Sequence, residues 1–115
     1  MGVTKSMSAT GPVLVAKLRN AAEATRLFVR ALRAEGQRGW AEHFSEVASL
    51  LEAGAARAAV ELHQSKQRGG VGSLSDIYPE NGQFEKLWGQ CSSAIGNLRL
   101  YLEYGIDRPL VEVSP

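Results

Sequence analysis

Two histidines, one cysteine, a row of arginines and a glycine–serine block are the groups in this chain with chemistry to offer. His43 and His63 stand on different predicted helices, with no cysteine pair and no His-Glu-x-x-His spacing near either. Glu46 follows His43 by three residues, the reverse of the Glu-x-x-His order that a di-metal helical bundle uses. Both therefore read as surface or helix-face histidines. Cys91 falls within an apolar seam, where a thiol packs as a small hydrophobe. A nucleophilic cysteine needs a neighbouring base and a lowered pKa, and the local sequence supplies neither. Ser92 and Ser93 have no framing motif. The expectation is no catalytic residue, no cofactor and no metal, and hence no enzyme.

The block is "RGGVGSLSDIYPENG", Arg68 to Gly82. Gly69 or Gly70 can end a helix. Ser73 and Asp76 have the Ser-x-x-Asp spacing of a capping box, in which serine accepts a free backbone N–H and the carboxylate reaches back. Leu74 and Ile77, three apart, can anchor one side. Pro79 disfavours helix at Tyr78. A connector this long is uncommon in a compact domain unless it has structure or function. The reading is a structured connector, with Gly69, Gly70, Gly72, Ser73, Asp76 and Tyr78 as the candidate binding or structural motif. The alternative is an anion site built on its backbone N–H groups, with Arg68 and Tyr78 assisting. It lacks the Gly-Lys-Ser/Thr ending and the preceding strand of a nucleotide loop.

Arg19, Arg26, Arg30 and Arg33 fall on one narrow helical face, opposite the apolar seam. They form the candidate interface, suited to an acidic protein because arginine is favoured at interfaces. Glu42 and Glu46 on the next helix could face these arginines and cancel them.

Four helices must position these groups. Pro12 suits a first helical position, and Leu14, Leu18, Ala21, Thr25, Phe28 and Leu32 follow at steps of four and three, a bundle seam. Gly36 ends that helix. A second runs from about Trp40 to Ala53 on Trp40, Phe44, Val47 and Leu51, and Gly54 stops it. An alanine-rich third spans about Ala56 to Gln67, with Val60 and Leu62 as its bulky groups. A fourth spans about Gln83 to Tyr104 on Phe84, Trp88, Cys91, Ile95, Leu98 and Leu102, ended by Gly105. The expected architecture is all-α: a single-domain antiparallel four-helix bundle over residues 11–105, with the glycine-rich connector between helices 3 and 4. Residues 1–10 read as a flexible N-terminal tail. Residues 106–115 read as a C-terminal tail, whose alternating "PLVEV" could lie across the bundle.

The totals agree. At 115 residues, 22% charged and 44% apolar, the chain suits one globular domain. Thirteen cations against twelve anions argue against a nucleic-acid partner. A single cysteine cannot make an intramolecular disulfide, which favours a cytoplasmic setting. No apolar run is long enough to span a membrane. Val13, Val15 and Val29 beside the first seam leave room for a homo-oligomer.

"GGVGSLSDIY" resembles the Gly-Gly-Met-Gly-Ser-Phe/Leu-Asn-Asp-Leu block of a family of small bacterial all-helical proteins of unknown function. In that family the block follows paired helices like those of "GQRGWAEHFSEVASLLEAG", Gly36 to Gly54. The likeness runs from about Leu27 to Leu102. Val71 stands where methionine is usual, and Ser75 where asparagine is usual. The resemblance implies a helical bacterial cytoplasmic protein, and some of its relatives look like accessory or immunity proteins beside secreted toxins. The functional expectation is a non-enzymatic protein-interaction module, in its most specific form an immunity protein neutralising a cognate toxin. The alternative is a small-ligand or anion-binding domain that uses the connector.

Overall fold

The computed structural model describes residues 11–67 and 82–115. Helices α1 (Pro12–Ala34), α2 (Arg38–Glu52), α3 (Ala56–Gln67) and α4 (Gly82–Tyr104) account for most of them, and no strand occurs among the described residues. α1 packs on α2 and α4, and α3 packs on α2 and more sparsely on α4.

The seam of α1 is buried along its whole length, from Leu14 to Leu32. α2 buries Phe44, Val47 and Leu51, with Trp40 half-buried at its start. α3 packs inward through small residues, as its alanine-rich sequence suggests. Its inward residues are Ala56, Ala59 and Val60, and Leu62 is only half-buried. Small side chains let α3 lie close to α2. α4 buries Phe84, Leu87, Cys91, Ala94, Ile95 and Leu98. Each large side chain so buried contributes roughly 1.5–3 kcal/mol.

Phe28 is the centre of this interior. Its ring lies 5.1 Å from Phe44, edge-on, and 5.3 Å from Phe84. Trp88 stacks at 6.4 Å. One side chain of α1 thus meets rings from α2 and α4.

The helix stops are as expected. Gly36 and Gly54 have φ of 75° and 85°, a region a Cβ disfavours. After each, the chain makes the paired bonds of a Schellman motif: Gln37 N–H to the Leu32 carbonyl at 2.9 Å, and Ala55 N–H to Leu50 at 2.9 Å.

The last residues do not trail away. Lys17, only 2% exposed, forms an ion pair with Asp107 at 2.7 Å and donates to the Arg108 carbonyl at 2.8 Å. The Asn20 carboxamide donates to the Val111 carbonyl at 2.8 Å and accepts from the Val111 N–H at 2.9 Å. Gln90 treats Ser114 the same way, at 3.2 and 3.0 Å. Asn97 donates to Pro109 and Lys86 to Pro115. From Asn97 back to Lys86 is about 16 Å of helix axis, which the tail covers between Pro109 and Pro115. That is roughly 2.7 Å per residue, an extended run somewhat short of a full strand's advance. Two carboxamides pair with the backbone of this extended segment, and Val111 and Val113 pack on the core.

Replacing Asn20 by alanine strands both polar groups of Val111 in a half-buried site. Asn20→Ala is expected to cost roughly 1–3 kcal/mol and to raise hydrogen exchange at Val111, measured by urea denaturation and amide exchange.

Candidate functional site

The heptad seam of α1 points Phe28 and Leu32 inward, so the arginines between them point out. Arg19, Arg30 and Arg33 are exposed. None of the three has an ion pair or hydrogen-bonding partner for its side chain among the described residues. Arg26 differs. Its guanidinium donates to both oxygens of Glu52, at 2.8 and 2.9 Å, and to the hydroxyls of Ser45 and Ser49 at 3.1 and 3.2 Å. These bonds hold the Glu52 carboxyl below its ordinary range and raise Arg26. Arg26 is thus a tie between α1 and α2 rather than part of the open face. Glu42 and Glu46 are exposed and make no ion pair with the row. The α2 carboxylate that reaches α1 is Glu52, near the end of that helix.

The histidines are not surface groups. His43 is buried, its ring 5.1 Å from Phe44 and 5.9 Å from Trp40. His63 of α3 lies half-buried, its ring 5.7 Å from Phe44. The spacing places both on inward-leaning faces, which the sequence reading missed. Burial pushes His63 down to about 4, with the nearby His43 adding to the effect. It is neutral at pH 7. Cys91 sits at the centre of the bundle, 3.4 Å from the Thr25 hydroxyl. Burial pushes its thiol up to about 12, against a smaller opposite effect of that hydrogen bond. It is the packed thiol the sequence suggested. No group of three or more His, Cys, Asp and Glu side chains among the described residues is arranged to hold a metal ion.

His63 also borders a groove between α3 and α4, of about 460 Å³. Val60 and Gln64 line it from α3; Ser92, Ile95, Gly96 and Arg99 line it from α4. The opening follows from local sequence. Ser92 and Gly96 are four apart on α4 and too small to fill the space that α3 leaves. Arg99 and Gln64 did not stand out in the sequence as site residues. The signal available was a glycine in mid-helix, which weakens a helix unless space is needed there.

Gly69, Gly70, Gly72, Ser73, Asp76 and Tyr78 lie outside the described residues, as does Arg68. No protein-family model, no curated protein and no solved structure matches the chain. No helix among the described residues is long and apolar enough to cross a membrane.

Two outcomes follow from these environments. Cys91 is expected to resist a thiol reagent in the folded protein and to react stoichiometrically in denaturant, read by mass spectrometry. His63 binds a proton near pH 6.5 when unfolded but resists until about 4 when folded. Its contribution to stability is therefore full above pH 6.5 and falls on acidification, by up to about 3 kcal/mol at pH 4. Urea midpoints between pH 7 and 4.5 should fall accordingly, and less steeply for His63→Leu.

Proposed function

We propose that this chain is a non-enzymatic protein-interaction module that docks an acidic protein partner on the outer face of α1. The observation that carries the proposal is the row Arg19, Arg30 and Arg33, exposed and without side-chain partners among the described residues. Arginine side chains kept in water at helical spacing suit carboxylate forks on another protein. Near-zero net charge favours a local, shaped contact over the long-range field that a polyanion would exploit.

The architecture behind this face is an antiparallel four-helix bundle. The tail supports the antiparallel arrangement. It advances from Arg108 to Val111 as α1 advances from Lys17 to Asn20, and from Pro109 to Pro115 as α4 recedes from Asn97 to Lys86. The most specific form of the proposal is an immunity protein of a bacterial cytoplasm, which rests on the likeness of "GGVGSLSDIY" and the preceding helices to proteins found beside secreted toxins.

The test is a complex with the product of the adjacent gene, followed by gel filtration and calorimetry. The triple reversal Arg19→Glu, Arg30→Glu, Arg33→Glu is expected to weaken binding by about a hundredfold or more, with stability changed by about 0.5 kcal/mol per site or less. Wild-type affinity in the triple variant overturns the docking face. Cells that make the intact protein and still die from a neighbouring toxin overturn the immunity role.

A further inference from the structure

The groove between α3 and α4 has a chemistry separate from the arginine row. We infer that it is a binding site for a small organic monocarboxylate, with Arg99 as the anion contact and Val60, Ile95 and Gly96 as the apolar bed.

The size fits. About 460 Å³ lies within the range of small-molecule sites, roughly 300–1,000 Å³. The polar groups converge from both helices. Among the described residues Arg99 has a single engagement, Nη1 to Glu103 at 3.6 Å, which leaves further N–H groups for a bidentate carboxylate. Gln64 and Ser92 are half-buried, and neither side chain has a hydrogen-bonding partner among the described residues. Together they can complete the coordination of a carboxylate or of a polar substituent on its body.

Charge selects the class of anion. His63 is neutral at pH 7 because it is desolvated beside Phe44 and His43. Among the described residues Arg99 is then the cation that lines the groove, and Glu103 stands beside it. One partly shared positive charge suits a monoanion better than a phosphate dianion. Among the described residues no lysine lines the groove, and Ser92 to Arg99 lie well inside α4.

Gly96 supplies the bed. A Cβ built on it would meet nothing within 4 Å. The backbone of α4 is therefore bare at that point, beside Ile95, and a flat or compact apolar body can lie against it. The same fact provides the test. Gly96→Leu sets its Cβ in open space, extends a side chain toward the groove and adds a better helix former.

The probe is benzoate, titrated into the full-length protein to about 10 mM, where a ligand of millimolar affinity is mostly bound. Binding is read by amide chemical shifts in a two-dimensional NMR spectrum, with benzamide and inorganic phosphate as controls. The expected result is saturable shifts centred on Ser92, Gly96 and Arg99 with benzoate, and at least about tenfold weaker binding of either control. Arg99→Gln should weaken benzoate at least about tenfold. Gly96→Leu should abolish the shifts while circular dichroism and Tm stay at or above the wild-type values. No saturable shift at those amides, benzamide or phosphate binding as tightly as benzoate, or undiminished binding by either variant overturns the site. The arginine row of α1 plays no part in these readings, so failure here and failure of the docking face are separate results.

Discussion

Everything in this molecule turns on Phe28 being wholly enclosed by rings from neighbouring helices. It meets Phe44 at 5.1 Å and Phe84 at 5.3 Å, with Trp88 stacked at 6.4 Å. Phe44 in turn holds His63 of α3 at 5.7 Å. Two phenyl groups therefore touch all four helices. Interiors are packed at crystal-like density, so rings in such a cluster fix how each helix is rotated about its axis. With Phe28 turned inward, Arg19, Arg30 and Arg33 must face water. With His63 drawn against Phe44, its imidazole loses solvent and stays neutral.

A second constraint is polar. α1 buries Lys17 and Asn20 in the same seam region as Leu14, Leu18 and Ala21. A buried amine or carboxamide without partners would oppose folding. The C-terminal segment removes that cost. Asp107 and the Arg108 carbonyl take the Lys17 ammonium, with the Tyr101 ring 5.6 Å below it. The backbone of Val111 takes both ends of Asn20. The tail thus belongs to the folded unit, and it spans α1 and α4 at positions far apart in sequence.

The two outward features lie on different elements and differ in kind. The arginine row is convex, charged and set by α1 alone. The α3–α4 groove is concave, mixed in polarity and set by the small residues Ser92 and Gly96 against a short, alanine-rich neighbour. Cys91 and Thr25, between them, are sealed in the core and serve packing.

The heptad seams of α1 and α4, the glycine stops at Gly36, Gly54 and Gly105, and the outward arginines were legible in the sequence. Each depends on interactions within a few residues: the helical period, the left-handed φ a missing Cβ permits, and which face a side chain occupies. Three matters needed the assembled fold. Glu52, rather than Glu42 or Glu46, reaches Arg26, because the partner is chosen by how α1 and α2 are set against each other. His43 and His63 leave water because both rings pack against Phe44, a contact across two helices. The tail seats on Asn20 and Gln90, and the groove opens at Gly96, because distant segments meet there. Local period and conformation are written residue by residue; partners and empty space arise only when separate helices share one interior.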